Sequence, residues 1–253
     1  MSKTIKSIAA VAATVGLLGT GAIATPAVAA TKTITIATEG TYAPFSYVEN
    51  GKLVGYDVEV ATAVAKKAGY KIKWQKTTWD GIFAGLEAKR WDAIANQVTI
   101  RADRKAKYDL SEPYTSSSYA VITRKDDTRV TKVEDIKGLT AVGSATSSFT
   151  DLAKQYGAKV EVVEDNAGRF GLLQAKRVDV IVNDSLWALD YIKNNRDANV
   201  KIAATFGDAS LQGFAFRKDS GYVKKFNAAL ASLIKNGTIK KIGVKYFGKD
   251  VTK

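Results

Sequence analysis

Apolar residues along this chain switch between two spacings, and each switch marks an element. Ile34 to Ala37 alternates with threonine and predicts a strand, whereas Val58 to about Ala68 carries apolar residues three and four apart and predicts a helix, with Asp57 as its N-cap and Gly69 as its end. Ile72–Trp74 returns to alternation, and Trp79-Asp80-Gly81 opens another helix that runs into the stretch AKRWDAIANQVTIRADR at 88–104. Further strands are predicted at Tyr119–Thr123, Thr140–Val142, Val160–Val163 and Val200–Ala204. Helices are predicted from the GSATSS loop to about Tyr156, at Leu186–Asn194, at Tyr222–Lys235 and, after a break at Gly237, at Ile239–Phe247. Strands alternating with helices in this way define an α/β chain.

The pattern also repeats. AKRWDAIANQ, which begins at Ala88, returns as AKRVDVIVND from Ala175, an offset of 87, and Gly81, Phe83 and Leu86 face Gly168, Phe170 and Leu173 at that offset. Each copy reads as a helix followed by a strand that ends in a polar pair, Asn96-Gln97 in one and Asn183-Asp184 in the other. Open α/β sheets bind ligands beyond the carboxyl ends of their strands, so the two pairs are candidates for facing walls of one site. A purely structural duplication is the competing reading, and polar residues at both strand ends weigh against it. Tyr114–Ser118 and Ala209–Gly213 read as two crossings between lobes, which gives a two-strand hinge. The expected division is 31–115 for the first lobe, 116–209 for the second and 210–253 returning to the first.

Composition narrows the chemistry. The chain has no Cys and no His, which removes thiol nucleophiles, disulfides, imidazole bases and the usual zinc ligand sets. No catalytic residue, metal or cofactor is expected. With 38 basic against 25 acidic residues the formal charge is +13, which raises nucleic acid as a partner. The first 30 residues argue otherwise: Lys3 and Lys6, an apolar run from about Ile8 to Ile23 and then Ala27-Val28-Ala29 read as a secretory signal peptide. Its removal takes away two lysines and no acid, leaving a secreted protein of net charge +11 with no Cys for a lipid anchor. The expected state is a monomer that binds no nucleic acid. The Ser/Thr run before the helix near residue 148 reads equally as an anion-binding turn and as an ordinary N-cap.

TEGTYAPFSY, GKLVGYDVEVA, TTWDGIFAGL, WDAIANQVTIRADRKAKYDLSEPY and NGTIKKIGVKYFG, spread over 33–250, resemble in order and spacing the extracellular amino-acid-binding proteins of ABC importers, polar amino-acid group. EGTYAPFS, ANQVTI and the terminal FGKDVTK are most similar to the L-cystine-binding members, and the basic, lipid-free form resembles the basic surface proteins of lactobacilli. The resemblance implies a two-lobed, type II periplasmic-binding-protein-like fold, each lobe a sheet flanked by helices. It implies that Arg104, with Thr99, clamps a ligand carboxylate, that backbone amides of Thr146 and Ser147 add to that clamp, and that Asp184 receives the α-ammonium. It also implies that Tyr42 and Trp79 cover the ligand and that Glu39 reads the distal part of its side chain, with Asn96 or Gln97 available to a far carboxylate. Many members carry Gly or Ser where Gln97 stands, and Arg101 falls outside the clamp and on the surface. The function so implied is capture of a free amino acid, L-cystine above glutamine, arginine or histidine, and its delivery to a membrane permease. The alternatives are a basic surface or adhesive protein held by anionic wall polymer, and a dehydratase-like enzyme on the same fold that uses Glu39 or Asp184 as acid or base.

Overall fold

A computed structural model describes residues 32–252, and the expected leader at 1–30 lies outside them. Strand β1 (Lys32–Thr38) leads through a small antiparallel meander, β2 (Thr41–Tyr42), β3 (Ser46–Glu49) and β4 (Lys52–Val54), into helix α1 (Tyr56–Lys67). The elements β5 (Tyr70–Lys76), α2 (Trp79–Glu87), β6 (Ala93–Thr99), α3 (Ala102–Lys107) and β7 (Tyr108–Leu110) follow. A long β8 (Thr115–Arg124) precedes β9 (Thr140–Gly143), α4 (Ser148–Gln155), β10 (Lys159–Val162), α5 (Asn166–Gln174), β11 (Val180–Asp184) and α6 (Ser185–Asn194). The chain closes with β12 (Val200–Arg217), α7 (Tyr222–Lys235) and α8 (Thr238–Phe247).

The main sheet runs β10-β9-β11-β8-β12-β6-β1-β5. Its outer triplets, β5-β1-β6 and β11-β9-β10, are parallel, as helix crossovers require, and antiparallel β12 and β8 join them. The joint is sharp: Gln212 of β12 pairs with Thr115 of β8 on one side and with Thr99 of β6 on the other. The expected strands 119–123 and 200–204 are therefore parts of longer strands that also contain the expected crossings. Ser116 and Ser117 pair through their backbone, Ser118 N donates to Ser185 Oγ at 3.3 Å, and all three remain half-exposed, so they show no apolar alternation.

The internal repeat survives in three dimensions. α2 and α5 both end on a lysine in the left-handed region, Lys89 at φ 59° and Lys176 at φ 60°. Arg90 N then donates to Gly85 O at 2.9 Å, and Arg177 N to Leu172 O at 3.0 Å. Asp92 and Asp179, two residues on, each accept a strand amide at 2.9 Å, from Thr35 and Thr140. Smaller apolar clusters lie beside these units, Ile82, Leu86, Trp91, Ile94 and Val98 under α2, and Val121, Ala153, Val180 and Val182 beside α4, while the largest cluster runs through both lobes, with Tyr42 against Trp187.

The start of α1 departs from expectation. Gly55, at φ 128°, is the N-cap, and a side chain there would sit 2.3 Å from Phe45 O. The first free amides of the helix, Tyr56 N and Asp57 N, donate to Pro44 O and Phe45 O at 2.9 Å each. Backbone has taken the role assigned to Asp57, whose side chain is free to serve elsewhere. The described residues also include the 41–54 meander and α3, neither of which the apolar pattern predicts. No described helix is long and apolar enough to cross a membrane.

Candidate ligand site between the lobes

Where the carboxyl ends of β1 and β6 face β11 and the start of α4, residues of both lobes line one cavity, whose empty space together with the solvent open to it is about 370 Å³. Glu39, Tyr42, Trp79, Asn96, Gln97 and Thr99 line it from the first lobe, and Ser144, Ser147, Ser148, Phe149, Asn166, Arg169 and Asn183 from the second. Offset-related positions meet here: Trp79 and Asn166 begin the repeated helices, and Asn96 and Asn183 lie near the ends of the repeated strands.

The first-lobe wall is held rigidly. Asn96 Oδ1 accepts from Thr38 Oγ1 at 2.9 Å and from Glu39 N at 2.8 Å, which leaves Asn96 Nδ2 to donate to Glu39 Oε2 at 2.5 Å. Gln97 sits at φ 49°, a left-handed conformation that costs a side-chain-bearing residue about 1–2 kcal/mol. Asp57 maintains it: its carboxylate accepts Gln97 N at 2.7 Å and Gln97 Nε2 at 2.6 Å. Gln97 Oε1 and Trp79 Nε1, both on lining residues, are buried without a hydrogen-bond partner among the described residues, an arrangement that proteins avoid unless something else completes it.

On the second lobe, Ser147 caps α4 by accepting Phe149 N at 3.2 Å, and Ser147, Ser148 and Phe149 at the start of the helix line the cavity. Gly143 keeps the entering turn tight, since a Cβ there would lie 2.3 Å from Thr150 Oγ1. Asn183 Oδ1 accepts Asp184 N at 2.7 Å and, from the opposite lobe, Tyr42 OH at 2.8 Å.

Seven of the ten residues expected from the sequence thus line one cavity, and Arg104, Thr146 and Asp184 stand just outside its lining. Arg104 is 7% exposed, donates from Nη1 to Thr99 O at 3.2 Å and lies 5.3 Å from the centre of the Trp79 ring, so it backs two lining residues. Asp184, 1% exposed, caps α6 by accepting Leu186 N at 2.8 Å and also accepts the Ser117 hydroxyl. Thr146 reaches across the cleft instead: its N–H and hydroxyl donate to Asp80 Oδ1 at 3.0 and 2.7 Å, and Ala145 N donates to Asp80 Oδ2 at 3.2 Å. Further pairs close the cleft, among them Thr99 Oγ1 with Ser148 Oγ at 3.1 Å, Arg101 Nη1 with Asp151 Oδ2 at 2.8 Å and Asp80 N with Glu164 Oε1 at 3.0 Å. Arg101, assigned to the surface, is in fact a partly covered inter-lobe ion pair.

Charge in the site is unbalanced locally. Of the buried arginines, Arg124 has Asp127 at 3.4 Å, whereas Arg104 and Arg169 have no carboxylate within 4.0 Å among the described residues. Burial lowers Arg104 to about 10. It raises Glu39 to about 7, against the opposing hydrogen bond from Asn96, and Asp184 to about 6. Asp57 is likewise pushed up to about 7 by burial. Ionisable groups of both signs are buried around one cavity, and among the described residues none of them has an opposite charge within 4.0 Å, which is costly for the protein alone.

The sequence reading missed Arg169, Asn166, Ser144, Ser148 and Phe149. A signal for Arg169 was present in the repeat: at the offset of 87 it matches Ile82, a fully buried core residue, so one copy places a cation where the other packs apolar surface.

The family described as bacterial extracellular solute-binding proteins, family 3, matches over residues 34–249. The L-cystine-binding protein TcyA of Bacillus subtilis (strain 168) is 46% identical over 87% of this chain and 83% of its own. Among solved structures, an ancestral arginine-binding protein bound to glutamine superposes with a TM-score of 0.81 at 35% identity, over 86% of this chain and 98% of that one. The L-cystine solute receptor of Neisseria gonorrhoeae, in an unliganded open conformation, is more similar in sequence at 41% but superposes at 0.61, over 88% and 96%. The better fit to a ligand-bound structure matches the inter-lobe hydrogen bonds described above, and the architecture is the two-lobed type II periplasmic-binding fold. A chain with this fold, this cavity and a match spanning residues 34–249 belongs to the bacterial extracellular solute-binding proteins, family 3.

Proposed function

We propose that this protein captures free L-cystine outside the cell, closes its two lobes around it and presents it to an ABC permease. The observation that carries the reading is the pairing of buried, uncompensated charges of opposite sign beside one cavity, Arg104 against Asp184, which is the complement of an amino-acid zwitterion. Arg104 supplies a planar fork for the α-carboxylate, with Thr99 and the first amides of α4 around Ser147. Asp184 supplies the α-ammonium partner. Thr146 contributes by joining Asp80 across the cleft, Tyr42 and Trp79 cover the ligand, and Glu39, with Asn96 and Gln97, meets its far end. Cystine is favoured because the distal wall is itself charged and because the 46%-identical relative is named for it.

Carriage needs no covalent chemistry, and Glu39 and Asp184 are accounted for as ammonium partners, so we read the protein as a carrier and no enzyme. The lobe division at 31–115, 116–209 and 210–253 is part of this proposal, supported by the switch of β12 from β8 to β6 at Gln212. So are secretion without a lipid anchor, a monomeric state and retention of the basic exterior on anionic wall polymer. Calorimetric titration with cystine, glutamine, arginine and histidine tests it. Cystine should bind tightest, and Arg104→Met and Asp184→Asn should weaken every amino acid by about 30-fold or more, since each strands a buried partner. Arg104→Met binding like wild type would overturn the clamp, and tighter binding of another amino acid would overturn cystine.

A further inference from the structure

Arg169 is the feature of the cavity that the zwitterion clamp leaves unused. It projects from α5 into the second-lobe wall, is 5% exposed and has no carboxylate within 4.0 Å among the described residues. Its guanidinium is fixed by three acceptors: Nε donates to Val163 O at 2.7 Å, Nη1 to Asn166 Oδ1 at 2.8 Å and Nη2 to Glu164 O at 2.7 Å. Of the five N–H groups an arginine carries, one on each terminal nitrogen has no acceptor among the described residues. A rigid guanidinium with a free N–H on both terminal nitrogens is preorganised to receive the two oxygens of one carboxylate.

Glu39 lines the same cavity from the other lobe, and its electrostatic attraction to Arg169 is among the influences on both groups. A ligand tip bearing only positive charge would meet Glu39 favourably and Arg169 unfavourably. A tip bearing only negative charge would do the reverse. A tip with one charge of each sign satisfies both. The repeat points the same way, since the counterpart of Arg169 is Ile82, at 0% exposure in the first-lobe core. The fold does not need a cation at this position of the helix.

We propose that Arg169 is a specificity-determining residue that binds the second carboxylate of the ligand while Glu39 binds the second ammonium, so that the cavity holds one zwitterion at each end. This assignment rests on the cystine reading above and replaces Asn96 and Gln97 as the main partner of the far carboxylate. Asn96 is committed to holding Glu39, and the Gln97 amide nitrogen to Asp57 and Thr115.

The test uses two ligands that differ at the far end alone: L-cystine, and the mixed disulfide of cysteine with cysteamine, which has the far ammonium but lacks the far carboxylate. Both are titrated calorimetrically into wild type, Arg169→Met, Arg169→Lys and Glu39→Gln, with far-UV circular dichroism and melting curves to check that each variant folds. Wild type should prefer cystine by about 30-fold or more, because the mixed disulfide leaves Arg169 unpaired. Arg169→Met should lose that preference, with cystine weakened and the mixed disulfide changed by less than about threefold. Arg169→Lys should retain part of the preference, and Glu39→Gln should weaken both ligands together. Equal losses for both ligands in Arg169→Met, or no preference in wild type, would overturn the assignment. Should Arg169→Met fail to fold, the wild-type preference and the graded Arg169→Lys response decide it. Wild type that ignores both disulfides yet binds glutamine or arginine would instead show that the cystine reading had failed.

Discussion

Closure rests on a contact whose removal leaves the ligand wall untouched. Asp80, in the first turn of α2, accepts Thr146 N at 3.0 Å, Thr146 Oγ1 at 2.7 Å and Ala145 N at 3.2 Å from the opposite lobe. It lines no part of the cavity. Hydrogen bonds to a charged acceptor contribute about 1.5–3 kcal/mol when shielded. Ala145 and Thr146 are exposed, so the three together are better taken as about 2 kcal/mol. Asp80→Ala should therefore destabilise the closed state by that amount and weaken cystine by about 30-fold. Most of the change should appear as faster dissociation, because the open protein meets its ligand unaltered. Asp80→Asn keeps one acceptor oxygen and should fall between. Titration and stopped-flow release measure the effect, and small-angle X-ray scattering at saturating ligand should show the variant less compact at equal occupancy. Loss of the favourable carboxylate at the N-terminus of α2, about 0.3–1 kcal/mol, would appear separately as a lower melting temperature without ligand. Affinity within twofold of wild type, with superimposable scattering, would refute the latch.

Two further outcomes follow from charge. Glu39 and Asp57 at about 7 and Asp184 at about 6 stay protonated in the folded protein where the unfolded chain, with carboxyls near 4.5 and 3.8, has released its protons. The ligand-free protein should therefore lose stability as pH rises from about 4 to 7, while cystine affinity rises over the same window as Glu39 and Asp184 ionise. Asp127, held at about 2 by Arg129, acts in the opposite sense but mainly below that window. Melting curves and titrations at pH 5 and 8 check this, and affinity independent of pH would count against both carboxylates as ammonium partners. The second outcome concerns the exterior: exposed Lys224, Lys235, Lys240 and Lys241 on α7 and α8 should hold the protein to polyanionic polymer at low salt and release it at high salt. Retention in concentrated salt would point to a specific anchor.

The parts of the fold that announced themselves were those with a long, regular pattern. α2–β6 and α5–β11 were legible because two copies of one pattern reinforce each other, down to the paired Asn96 and Asn183. The 41–54 meander was not, because its strands are two to four residues long and give too few alternations to count. α3 was invisible for the opposite reason: ADRKAK has no apolar stripe, and the residue it buries is Arg104. Asp57 looked like a cap because a short carboxylate precedes a helix; the backbone of Pro44 and Phe45, remote in the pattern, took that role. Arg169 escapes the pattern because it is a mismatch of the repeat, standing where the other copy has Ile82.

The order of the sheet has a consequence for how molecules of this protein meet one another. Among the described residues its outermost strands are β5 and β10, each with one edge that no other strand pairs, an invitation to join the edge of a second copy. β5 exposes Lys71, Lys73 and Lys76, and β10 begins at exposed Lys159. Two β5 edges brought to the roughly 4.8 Å spacing of a sheet would set these ammonium groups against one another. Part of the basic excess thus works as a barrier to self-association, and it would keep a secreted protein dispersed at high concentration even if no polyanion were present to receive it.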